Sequence, residues 1–274
     1  MKRSRRRSVV LSIVMIAVAC LVGLPFYYIV VNTLKTPEQS GRSPLGLPTK
    51  LYTENYTGVF HTIPIVQSFL NTVYVTAAAV ALMLLIGSLA AFGMVLSKAR
   101  LTRLLGAALL IGFVVPFQTT LIPLYQDLAK AHLVDSLNGL IVIYAAGAIF
   151  CYFLIQGYMR TIPNEIIEAA RIDGAGPFRI YWSIMLPLIR PILVTVGVFQ
   201  TMWVWNDFLT PQVFISSPTK STLVLQVYTA VGEFAVNWPL FMTMTVIVLV
   251  PMVIFFLLMQ RHIVSGLVSG GVKV

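Results

Sequence analysis

The sequence predicts an all-α fold, a polytopic transmembrane helical bundle with six spans. Three observations carry that prediction. Of 274 residues, 58% are hydrophobic and only 10% are charged, where soluble domains carry roughly 25%. Mean hydropathy is +0.89, so a single soluble core cannot hide the apolar surface and lipid is the expected solvent. The basic residues are also unevenly placed. With the N-terminus inside, fourteen of the nineteen Lys and Arg fall on inner segments, and only Lys35, Arg42, Lys50, Lys130 and Lys220 fall outside. That asymmetry puts both termini in the cytoplasm. It also accounts for the net charge of +10, so no nucleic-acid partner is expected.

The spans follow in order, each near the ~20 apolar residues a crossing needs. The first, 9–31, comes after the basic segment 1–8. A basic start, an apolar run and "AVAC" at 17–20 also fit a cleaved secretory signal, but the run continues to Val31, too long for a signal core. The second, 69–96, is long enough to tilt. The third, 104–126, should kink at Pro116 and Pro123. Between those prolines Gln118, Thr119 and Thr120 either line a pore or repair freed backbone carbonyls. The fourth is 138–158. The fifth, 192–215, is interrupted by "WNDF" at 205–208, and the sixth is 239–259. The membrane-spanning body is thus 9–259, with a cytoplasmic tail at 260–274. The outer loop 32–66, rich in Pro and Gly, reads as mostly non-helical. The loop 216–238 lies on the same side, with Trp238 at its tip. Cys20 and Cys151 read as small buried hydrophobes.

The inner loop 159–191 is the most distinctive segment. Pro163 suits a first helical turn, Glu165 and Glu168 favour the positive end of the helix dipole, and Glu168 and Arg171 are spaced to pair. Ala169 and Ala170 leave a low surface. Gly174 and Gly176 stop the helix, and Pro177 starts a second one, 177–186, that Pro187 ends. The physics alone allows an amphipathic connector or a helix displayed for docking.

Glu168-Ala169-Ala170, three residues, Gly174, nine residues, then Ile184-x-Leu186-Pro187 is similar to the EAA loop of ABC importer permeases. "NTLKTPEQ" (32–39), "ENY" (54–56), "WND" (205–207) and the ending "QRHIVSGLVSGGVKV" (260–274) resemble the sugar-transporter branch, its maltose-type six-span subunit in particular. The resemblance implies the type I importer permease fold in a bacterial cell membrane. It implies that Glu168, Ala169, Ala170, Asp173, Gly174, Ile184, Leu186 and Pro187 couple the chain to a cytoplasmic ATPase dimer. It further implies a second, homologous permease subunit, an extracytoplasmic solute-binding protein and a sugar substrate. The tail, with Gly266, Gly270 and Gly271, touches the ATPase in that reading, or is a frayed end.

No phosphate-binding loop or catalytic constellation is present. The chain is therefore expected to be no enzyme and to hold no cofactor or metal, with ATP and Mg bound by the partner ATPase. Asp207 is the clearest ionisable residue in a span. Gln200, Trp203 and Asp207 share a helical face and, with Asn206, form a candidate substrate path for a polyhydroxylated solute. Alternatively Asp207 caps or pairs near the outer surface while Trp203 and Trp205 anchor the interface. Two other functions compete: the same fold carrying a polyamine, phosphate or amino acid, and a secondary transporter, which requires intramembrane acid–base residues and inverted repeats.

Overall fold

The structure is a computed structural model describing residues 2–97, 99–233 and 237–271, and among these it contains helices and no strand. In chain order the helices are α1 (Lys2–Thr33), α2 (Pro37–Arg42), α3 (Glu54–Thr62), α4 (Ile65–Leu96), α5 (Arg100–Val114), α6 (Leu121–Lys130), α7 (Leu137–Ala145) and α8 (Ala148–Met159). They continue with α9 (Asn164–Ile172), α10 (Pro177–Ile180), α11 (Leu186–Leu188), α12 (Arg190–Asn206), α13 (Leu209–Phe214), α14 (Leu223–Glu233) and α15 (Trp238–Gly271). Four described helical stretches are long and apolar enough to cross a membrane: Val10–Thr33, Ile65–Leu96, Leu137–Met159 and Trp238–Arg261. Two bent pairs raise the number to six if each is one span: Arg100–Val114 with Phe117–Lys130, bent by 90°, and Pro177–Leu188 with Arg190–Asn206, bent by 74°.

The third and fifth stretches break where polar or cyclic residues interrupt the helix. After α5 the chain is extended at Val115 and Pro116 and re-enters through a 3₁₀ turn, Phe117–Thr120. Thr119 and Thr120 donate their hydroxyls to the Pro116 and Phe117 carbonyls at 2.7 Å each, the backbone repair the sequence allows. Pro123 does not kink the chain: it lies in the first turn of α6, where a missing N–H is harmless. The break at "WNDF" leaves Asp207 extended between α12 and α13.

The chain divides into two compact units, residues 1–66 with 226–251, and 67–225 with 252–274. In the first, α1 leaves most of its apolar side chains from Val10 to Val30 exposed, as a lipid-facing helix must. Cys20 is among those exposed residues, which corrects its reading as buried. The connection after α1 is more regular than its prolines suggest, because Pro37 starts α2 at a position needing no N–H and the Thr36 hydroxyl accepts from the Gln39 N–H. The "NTLKTPEQ" and "ENY" residues form one buried polar network. Asn32 donates to the Tyr28 and Pro44 carbonyls and accepts from the Ser40 hydroxyl. Asn55 donates to the Thr33 and Lys35 carbonyls at 2.8 and 2.9 Å. Lys35, fully buried, donates to the Ser43 and Pro44 carbonyls, and burial lowers its pKa.

In the second unit α12 and α5 pack on α8, and α13 packs on α7. Met83, Tyr144, Cys151, Ile155, Tyr181, Met185 and Val196 are buried in its core. Helices α4 and α8 approach so closely at Gly87 that an added Cβ would lie 2.6 Å from Cys151 Cβ and 3.0 Å from the Ala148 carbonyl. Gly87→Ala should therefore destabilise the fold by about 1–3 kcal/mol through overpacking. A lowered thermal unfolding midpoint in detergent is the check.

The α7 and α13 ends are tied by Asp135. Its N–H donates to the Phe214 carbonyl at 2.8 Å. Its carboxylate accepts the Ser216 and Ser217 N–H groups, the Ser217 hydroxyl and Lys220 Nζ. The Ser217 hydroxyl and N–H, helped by Lys220 and the Ser216 N–H, hold this carboxyl far below the usual carboxylate range despite the opposing effect of burial. The folded pKa is depressed, so the tie is complete above the ordinary carboxylate pKa and is lost only as pH falls through the depressed value. Amide exchange at Ser216 and Ser217, corrected for intrinsic rate, should be constant between about pH 5 and 8.

Candidate functional site

Helix α9 has one buried side: Ile167 and Ala170, three apart, face inward, while Glu165, Glu168, Ala169 and Ile172 are exposed. Ala170 is thus an anchor to the chain's own core. This corrects its reading as part of the low outer surface: Ala170 is 6% exposed and lies on the buried side with Ile167, so of the two alanines only Ala169 faces outward. Glu168 and Arg171 do not pair: no ion pair is found between them among the described residues.

The helix ends in a Schellman motif. Ala175 N–H reaches the Ala170 carbonyl at 2.9 Å, and Gly174 N–H the Arg171 carbonyl at 3.0 Å. Gly174 has φ +78°, the left-handed region that L side chains disfavour. Asp173 is the exposed C-cap before it. Gly176 has φ −70° and open space around it, so only Gly174 requires glycine.

Pro177 begins α10 as expected, but Pro187 does not end the second helix, which runs on to Leu188. A π turn at Tyr181–Met185 intervenes, with the Leu186 N–H bonded to the Tyr181 carbonyl, and this wider turn leads into the segment holding Pro187. Within it Tyr181 is buried, its hydroxyl 2.7 Å from Ser88 Oγ of α4 and its ring 5.3 Å from Phe92. Ile184 and Leu186 are half-buried and Pro187 is exposed. The result is a short helix held at the end of a rigid elbow.

A second feature is a cavity of about 800 Å³ with walls from α5, α7, α8, α12 and α13. Gln200 and Trp203 line it; Asn206 and Asp207 do not. Asp207 Oδ2 accepts the Tyr144 hydroxyl at 2.9 Å, and Oδ1 accepts the Leu209 N–H at 3.0 Å. It caps α13 and pairs across to α7, the structural alternative the sequence offered. Asn206 donates to the Met202 carbonyl. Gln200 Nε2 donates to the Gly147 carbonyl at 3.1 Å, an oxygen that also accepts the Cys151 N–H at 3.3 Å at the start of α8.

The family model for binding-protein-dependent transport system inner membrane components matches residues 83–269. The chain belongs to this family. The permease is 33% identical over 250 residues to the probable starch degradation products transport system permease protein AmyC of Thermoanaerobacterium thermosulfurigenes, covering 91% of each chain. It is 30% identical over 276 residues, covering both chains fully, to the melibiose/raffinose/stachyose import permease protein MelC of Bacillus subtilis. In fold it matches a chain from the crystal structure of a bacterial ABC transporter involved in the import of the acidic polysaccharide alginate. There the TM-score is 0.81 at 22% identity, covering 95% of this chain and 98% of that one. The permease is a membrane transport subunit and not an enzyme.

Sequence reasoning missed two groups of residues in the permease. Ile172 and Phe178, 86% and 77% exposed, flank the Gly174 turn as bare apolar tips; their position among polar neighbours was the available signal. Tyr144 holds Asp207 from 63 residues away, a distance at which no local pattern reports contact.

Proposed function

We propose that this permease forms half of the translocation path of an ATP-binding-cassette importer for a carbohydrate. It spans a bacterial cell membrane six times, the third crossing made by the bent pair Arg100–Val114 with Phe117–Lys130 and the fifth starting at α12, after the cytoplasmic elbow, with residues 1–8 and the segment after 259 in the cytoplasm. A homologous permease supplies the other half, and an extracytoplasmic binding protein delivers the solute. An ATPase dimer, which holds the ATP and Mg, receives the elbow from Glu168 to Pro187. The carrying observation is that elbow. Its helix is anchored from within by Ile167 and Ala170, shows Glu168, Ala169 and Ile172 outward, and turns at a left-handed glycine. Such a rigid, unpaired lever end biases a two-state arrangement of helices when its seat moves. The carbohydrate assignment is supported by the solutes named for AmyC and MelC. Gly266, Gly270 and Gly271 continue α15 as backbone; their surroundings, and 272–274, lie outside the described residues, and contact of that segment with the ATPase is part of the proposal.

The test is purification of the chain in mild detergent with whatever stays bound, followed by reconstitution with its binding protein. The proposal expects a second permease and an ATPase in the complex, and ATP-dependent uptake of at least one of melibiose, raffinose, stachyose or maltotriose. Uptake that persists without the ATPase would overturn it.

A further inference from the structure

The cavity wall carries a hydroxyl-reading pair on one face of α12. Gln200 and Trp203 are three residues apart, so they are neighbours on the helix surface. Gln200 is only 4% exposed. Its Nε2 is engaged by Gly147 and Cys151, and its Oε1 has no partner among the described residues. Gln200 lines the cavity, so this amide oxygen can accept a hydrogen bond from a solute hydroxyl there. One turn on, Trp203 is 50% exposed at the cavity, and its indole N–H has no partner among the described residues. Its ring is held at one side by the edge of Tyr144, with centroids 5.6 Å apart and planes at 79°. Tyr144 is fixed in turn by Asp207. The face therefore offers an acceptor, a donor and a braced aromatic plate.

The charge pattern narrows the ligand. No Asp, Glu, Lys, Arg or His is among the described residues lining the cavity. A charged solute would shed water there without gaining a counter-charge, which is costly. Asp207, the one acid near the path, has both oxygens engaged elsewhere. The volume, about 800 Å³, lies within the roughly 300–1,000 Å³ of small-molecule pockets.

We propose that this face of α12 is a solute subsite for one ring of an uncharged saccharide. The apolar face of the ring stacks on Trp203. One ring hydroxyl accepts from the indole N–H, and another donates to Gln200 Oε1. The subsite rests on the carbohydrate reading above and adds the contacting residues and the requirement for neutrality.

The test uses the complete importer in proteoliposomes with saturating, receptor-loaded sugar, taking whichever of melibiose, raffinose, stachyose and maltotriose the wild type moves fastest. Trp203→Ala removes both plate and donor and should slow uptake about tenfold. Trp203→Phe keeps a plate, loses only the N–H, and should slow it about threefold. The yield of assembled complex is measured in parallel, and Trp203 is exposed enough for both variants to assemble. A graded loss at equal yield supports the subsite. Rates within twofold of wild type for both variants overturn the subsite and leave the importer assignment standing. A wild-type complex that moves none of the four sugars overturns the carbohydrate reading and the subsite together.

Discussion

Gly174→Pro is expected to reduce solute uptake below about a tenth of wild type while ATP hydrolysis by the complex persists, so that the two are uncoupled. The residue has φ +78°, and proline is locked near −65°. The substitution also deletes the N–H that meets the Arg171 carbonyl. It pushes Asp173, now near φ −72° and ψ 5°, toward extended backbone. The chain leaving α9 is then redirected, while Ile167 and Ala170 still anchor the helix. Gly176→Pro or Gly176→Ala is the matched control, because position 176 already has φ −70° and open space. Glu168→Lys should give the same uncoupling by another route. Glu168 is exposed and in no ion pair among the described residues, so its reversal should alter stability by no more than about 0.5 kcal/mol. Lost uptake must then come from a partner. Paired measurements of uptake and hydrolysis in proteoliposomes decide both.

The largest loss of folded protein is expected from Gly139→Ala. A Cβ at Gly139 would lie 2.1 Å from the Leu133 carbonyl oxygen, a backbone atom with no rotamer to escape through. The loop that would have to yield is held on both sides. Leu133 N–H bonds to the Leu128 carbonyl at 2.9 Å, and Asp135 is tied to Phe214, Ser216 and Ser217. The cost should reach or exceed the roughly 3 kcal/mol end of overpacking penalties. Little monodisperse protein should remain after detergent extraction, whereas a Val142→Ala control at an exposed position of the same helix should extract normally.

Particular residues show what was legible from sequence. Apolar length alone placed the long helices within a few residues, since only a helix satisfies its own backbone in lipid. Pro116 marked the 90° bend and the polar "WNDF" the end of α12, because each removes local helix support, whereas the 74° bend between Leu188 and Arg190 was not placed. The turn at Gly174 was legible because only glycine takes that backbone region cheaply. Proline rules misled twice. They made the 32–66 loop too irregular, although Pro37 starts a helix, and they ended a helix at Pro187 that a π turn carries onward. The candidate path residues were least legible. Gln200, Trp203 and Asp207 share a face, yet the carboxylate is claimed by Tyr144, and partners that distant leave no trace in local spacing.

The central claim is that the α9 tip sits in a nucleotide-driven partner. It is tested most directly by Ile172→Cys in a chain whose Cys20 and Cys151 are replaced by serine, treated with a bifunctional thiol crosslinker in native membranes. Ile172 is 86% exposed at the tip. The account predicts that this position captures the importer's ATPase, and that a cysteine at Leu47, 72% exposed in the 32–66 loop, does not. Capture of the ATPase from Leu47 and never from Ile172, with the complex intact, would contradict it.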